Sequence, residues 1–84
     1  MRYRVILPRS VQKDLDRLTD GIASRIMARL AALENNPRPP DVKKLKGRDA
    51  WRIRVGDYRV IYEIYDRALQ IIVISIGHRR EIYR

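Results

Sequence analysis

The chain contains no cysteine, which excludes a disulfide framework and any thiolate metal site. Histidine is almost absent too. His78 stands alone, and no His/Asp/Glu cluster has metal-ligand spacing, so neither a metal nor a cofactor is expected. There is no glycine-rich phosphate loop. The apolar stretch after Met1, residues 5–7, is far too short for a signal peptide and stops at Pro8. No run approaches the length of a membrane span. Repeats, low-complexity tracts and interdomain linkers are lacking as well. The expectation is a single cytoplasmic domain over residues 1–84 with no membrane contact.

Acids are scarce relative to bases. Ten Asp and Glu face nineteen Lys and Arg, for a net charge of +9 in 84 residues. With a pI near 10.7, the balance points to a polyanionic partner such as nucleic acid, a ribosome or an acidic protein.

Residues 2–7, "RYRVIL", alternate apolar and basic and read as a strand ended by Pro8. Ser10 is a plausible N-cap for a helix carrying Val11, Leu15 and Leu18. Residues 19–21, "TDG", interrupt the pattern before a second helix with Ile22, Ile26, Leu30 and Leu33 on one stripe. Met27 and Ala31 widen that stripe and are expected in the core. Residues 38–49 hold two prolines and four basic residues, and read as a loop or a loop leading into a strand. Strands follow at residues 50–55, 58–65 and 69–76, with Gly56-Asp57 and Asp66-Arg67 as two-residue turns. The order β-αα-βββ is α+β: a small, mainly antiparallel four-stranded sheet with two helices packed on one face. The crossover through the helices places the first strand beside the last.

A two-residue turn at Gly56-Asp57 pairs Val55 with Tyr58 and Arg54 with Arg59. One face then carries Trp51, Ile53, Val55, Tyr58, Val60, Tyr62 and Ile64, which the helices would cover. The other carries Arg52, Arg54, Arg59, Ile61 and Glu63. Like charges directly opposite on a sheet destabilise it by roughly several tenths of a kcal/mol. They are well placed only if an anion lies between them, and the planar fork of arginine matches phosphate. The alternative is a solvated face with the arginines splayed into water. Pairing Tyr65 with Ala68 adds Ile72 and Ile74 to the arginine face, so a cover for Ile61, Ile72 and Ile74 is expected, either the C-terminal tail or a partner chain. The tail, "GHRREIYR", groups His78, Arg79 and Arg80 with Tyr83.

Taken together, "KKLKG", "WRIRVGDYRVIYEI" and "IIVISIGHRREIYR" resemble the RelE/ParE toxin superfamily on its RelE side, over essentially the whole chain. The resemblance implies the toxin of a type II toxin–antitoxin system. Such a toxin is a metal-independent endoribonuclease that cuts mRNA in the ribosomal A site, with the ribose 2′-hydroxyl as nucleophile. It also implies an antitoxin that wraps and neutralises the toxin, and operator DNA bound through the complex. Arg59 matches the family's phosphate-contacting arginine, Arg79 a second arginine acting on the transition state or leaving group, and Tyr83 the tyrosine that stacks on the base. Arg52 and Arg54 stand where the best-known members carry lysines, one of them a candidate general base. Arginine keeps its proton and makes a poor base, so His78 is the substitute expected for proton transfer. Arg54, with Arg59 and Arg79, would hold the phosphate. Lys43, Lys44, Lys46, Arg48, Arg52 and Arg80 would contact ribosomal or messenger RNA. Ile61, Ile72 and Ile74 would dock the antitoxin. A gyrase-poisoning ParE-like protein and a non-catalytic RNA-binding homologue are the alternatives.

Overall fold

The computed structural model describes residues 2–78. Strand β1 (Arg4–Ile6) leads into helices α1 (Arg9–Asp16) and α2 (Asp20–Leu33). Strands β2 (Lys43–Lys44), β3 (Trp51–Val55), β4 (Tyr58–Tyr65) and β5 (Gln70–His78) follow. They form one sheet in the order β1-β5-β4-β3-β2, in which only the β1–β5 pair is parallel. The first strand lies beside the last, as the crossover requires. The sheet has five strands where four were expected. The extra one is β2, two residues of the basic loop that pair with Trp51 and Arg52.

The helices form the expected hairpin, with two local corrections. Pro8, not Ser10, is the N-cap of α1. Its carbonyl already accepts the Gln12 N–H at 2.9 Å, so Ser10 lies inside the first turn. Thr19 stands at the N-cap of α2 and Asp20 in its first turn, where a carboxylate complements the helix dipole. The apolar stripe of α2 is narrower than expected. Ile26, Leu30 and Leu33 are buried, whereas Met27 is 44% exposed and Ala31 is exposed too. Each step along a helix rotates the side chain by about 100°, which turns Met27 and Ala31 away from the sheet.

Core side chains from α1 (Val11, Leu15) and α2 meet Ile53, Val60, Tyr62, Ile71 and Val73 of the sheet. Trp51, Tyr58 and Ile64 flank them, so every residue expected on the covered face of β3 and β4 is there. Tyr62 is fully buried, and its hydroxyl donates to the Pro37 carbonyl at 2.8 Å, tying the loop after α2 to the sheet. Burial pushes its phenol well above the usual tyrosine pKa.

The two hairpins differ. Gly56, at φ +60°, takes the first central position of a two-residue turn, the place a type II′ turn reserves for glycine. The register is the expected one: Val55 opposite Tyr58, Arg54 opposite Arg59, Ile53 opposite Val60. The second turn is not Asp66-Arg67. Tyr65 pairs with Gln70 instead of Ala68, leaving a loop of residues 66–69. Leu69 N–H donates to the Asp66 carbonyl at 3.2 Å, and Leu69 takes a left-handed φ of 53°. The loop is longer by two residues, an even number, so the faces survive and Ile72 lies opposite Glu63 on the arginine side.

Candidate functional site

The face turned away from the helices is built by the first hairpin. The closing pair Val55–Tyr58 of a two-residue turn is hydrogen-bonded, so the next pair, Arg54–Arg59, is a non-hydrogen-bonded one. Such pairs bring their Cα atoms to about 4.5 Å, the closest approach on an antiparallel sheet. Two guanidinium stems are therefore held side by side by the backbone itself. Arg52, opposite Ile61, extends the row. The three are not equally wet: Arg54 is exposed, Arg52 half-buried and Arg59 only 5% exposed. Arg59 is the only buried charged residue among those described. A side chain held this deeply is fixed in direction, unlike an arginine splayed into water. Fixed cations aimed at one place are what stabilises developing negative charge.

His78 does not join this face. Ile61 pairs with Ser75 but Tyr62 pairs with Val73, which leaves Ile74 as an extra residue in β5. This bulge reverses the alternation for the rest of the strand. Ser75 and Gly77 now lie opposite Ile61 and Arg59, while Ile76 and His78 fall on the helix side. The His78 ring meets the Tyr58 ring edge-on, with centroids 5.6 Å apart and planes at 82°. The sheet therefore separates His78 from Arg54 and Arg59, and the expected substitute for the general base sits on the wrong side of it.

The apolar patch is smaller than expected. Ile61 is buried, and Ile72 and Ile74 are half-buried. Arg79, Arg80 and Tyr83 lie outside the described residues.

Of the basic loop, Lys43, Lys46 and Arg48 are exposed. Lys44 is partly committed: its Nζ lies 5.6 Å from the centre of the Trp51 ring and 3.6 Å from Asp49. Arg38 stacks on the same ring at 5.3 Å. Arg38 also grips Asp66 through both terminal nitrogens, at 3.2 and 3.0 Å, and the Tyr3 hydroxyl donates to the same carboxylate at 2.6 Å. The Arg38 bonds, and then the Tyr3 bond, hold the Asp66 carboxyl below its usual pKa. This network fastens the loop that carries the lysines to β1 and to the second hairpin. Pairing by charge pattern alone does not reveal it, because its partners are 28 and 63 residues apart.

The sequence reading also passed over Arg25 and Arg29 of α2. Their i,i+4 spacing puts them on one face of α2, and both line a cleft with Arg54. Among the described residues no three His, Cys, Asp or Glu side chains gather as a metal site, and no helix is long and apolar enough to cross a membrane.

Residues 5–83 match the family described as the ParE toxin of type II toxin-antitoxin system, parDE. Toxin RelE3 of Methanocaldococcus jannaschii is 33% identical over 85 residues, covering 95% of this chain and 94% of that protein. Among solved structures, a chain of the archaeal RelE-RelB complex from Pyrococcus horikoshii OT3 superposes with a TM-score of 0.85 at 35% identity, covering 94% of this chain and 97% of that one. A chain of the RelB-RelE antitoxin-toxin complex from Methanococcus jannaschii gives 0.75 at 30% identity, over 93% and 94% of the two chains. Relatives named as RelE, in a family described by ParE, agree with the sheet and helix order found here. The chain belongs to the RelE/ParE superfamily of toxins of type II toxin–antitoxin systems.

Proposed function

We propose that this toxin is a metal-independent endoribonuclease that cuts mRNA in the ribosomal A site and is neutralised by a cognate antitoxin. The observation that carries the reading is the Arg54–Arg59 pair, held side by side on the uncovered face with Arg52 beside it. The scissile phosphate lies against these guanidinium groups. The ribose 2′-oxygen bonds to phosphorus and the 5′-oxygen leaves, giving a 2′,3′-cyclic phosphate and a 5′-hydroxyl. The extra negative charge of the phosphorane is stabilised by arginines already in place. By resemblance, Arg79 adds to this charge stabilisation or protonates the leaving oxygen, and Tyr83 stacks on the base. His78, facing the helices, has no part in the phosphate site. Lys43, Lys46 and Arg48 supply backbone contacts to RNA that weaken with salt. The solved relatives crystallised as RelE–RelB complexes support an antitoxin partner, and the chain's +9 charge fits an acidic one.

The test is expression of the chain alone from a tightly controlled promoter, with mRNA 5′ ends mapped within minutes. The expected result is cuts inside translated codons, lost in Arg59→Ala and in Arg54→Ala. The match to ParE favours a second reading, gyrase poisoning. Growth arrest with intact mRNA and broken DNA would establish that one instead. Absence of both arrest and cuts would mean that the arginines bind RNA without cleaving it.

A further inference from the structure

The helix side carries two open clefts that meet at Arg25. One, of about 440 Å³, runs past Arg17, Ile22 and Arg25 to Tyr58 and His78. The other, of about 320 Å³, lies between Ala28 and Arg29 of α2 and Arg54 of β3. They join over the first turn, where a Cβ on Gly56 would stand 3.7 Å from both Arg25 Nη1 and Ile22 Cδ1. The result is one groove with an apolar floor (Leu18, Ile22, Ala28, Val55) and a basic rim (Arg17, Arg25, Arg29, Arg54).

Building on the antitoxin partner proposed above, we infer that this groove receives an acidic, amphipathic segment of the antitoxin. The mixed lining decides between protein and nucleic acid. A phosphate backbone uses cations and gains little from aliphatic side chains, whereas an amphipathic peptide uses both, with apolar groups on the floor and carboxylates on the rim. Asp57 is the one acid along the groove. The sheet edge adds a second argument. β2 pairs only with Trp51 and Arg52, so β3 from Ile53 onward has a neighbouring strand on one side only. An extended segment lying in the groove can add to that edge through main-chain hydrogen bonds. Docking there also reaches the arginine face. Arg54 belongs to both places, so a carboxylate that holds Arg54 in the groove withdraws it from the phosphate.

The full toxin, Ala28→Glu and Arg25→Gln are titrated by calorimetry with the antitoxin encoded beside this chain and, separately, with single-stranded polyadenylate. Both positions are exposed on α2, and circular dichroism checks that each variant is folded. The expected result is antitoxin binding weaker by about tenfold or more in both variants, a larger change than any seen with polyadenylate. Antitoxin affinity within about twofold of the parent in both variants overturns the inference. So does a loss confined to polyadenylate, which assigns the groove to nucleic acid. The titration reads binding and not cleavage, so a toxin that cuts no mRNA fails the nuclease reading while leaving this one standing.

Discussion

The two faces of the β3–β4 hairpin are made from the same thirteen strand residues, taken alternately, and they behave as different materials. On the helix side, Ile53, Val60 and Tyr62 are sealed under α1 and α2. On the other side, Arg52, Arg54 and Arg59 stand in a row, against the preference of a sheet for unlike or uncharged pairs. One face supplies stability. The other gives some of it up to hold charge in a fixed place.

The sharpest way to break this comparison is to truncate neighbours on opposite faces. Tyr62→Ala should destabilise the fold by about 3–5 kcal/mol, as for other large aromatic truncations in a packed core. Arg54→Ala should change stability by no more than about 0.5 kcal/mol yet abolish mRNA cuts. Urea denaturation and 5′-end mapping of both variants check the pair. Gly56→Ala acts on the turn that sets both faces. The added Cβ meets only ordinary contacts at 3.7 Å, so the penalty comes from the left-handed backbone, about 1–2 kcal/mol in the same urea series.

Tyr62→Phe tests the buried hydroxyl through pH. A phenol whose pKa is raised on folding contributes stability that is full below its unfolded value, near 10, and fades as pH rises through the folded one. The parent should therefore lose stability above about pH 10, and Tyr62→Phe should show a shallower loss there. At neutral pH the variant lacks the bond to Pro37, a loss of about 1 kcal/mol. The smallest effect sharpens the contrast most. Arg54→Thr relieves the like-charge pair and should raise stability by several tenths of a kcal/mol while mRNA cuts disappear. A thermal melt run beside the cleavage assay would show whether stability and activity move in opposite directions.

The alternation in "WRIRVGDYRVIYEI" was legible because Gly56-Asp57 fixes the register, and with it the Arg54–Arg59 pair. The place of β1 beside β5 followed from chirality alone. Elsewhere the local signal was missing. Residues 71–76 are a nearly unbroken apolar run, so nothing in it marks Ile74 as the bulge, and the side taken by His78 could not be read. The loop of residues 66–69 has no glycine, and Leu69 fills the left-handed position that glycine usually announces. The groove on α2 depends on which arginines the packed helix brings to Arg54, a tertiary fact that helical spacing only half reveals.

The position of β5 has a consequence in time. It is an interior strand of the sheet, with β1 on one side and β4 on the other, yet it follows both in the chain. During synthesis β1 leaves the ribosome first and waits for its partner until every other element has emerged. The sheet cannot close around a partial chain. Closure of a long loop also slows folding relative to local pairing. A chain still being made therefore lacks the completed sheet on which its arginines depend, and the interval before β5 arrives is one in which a partner can meet it before it is finished.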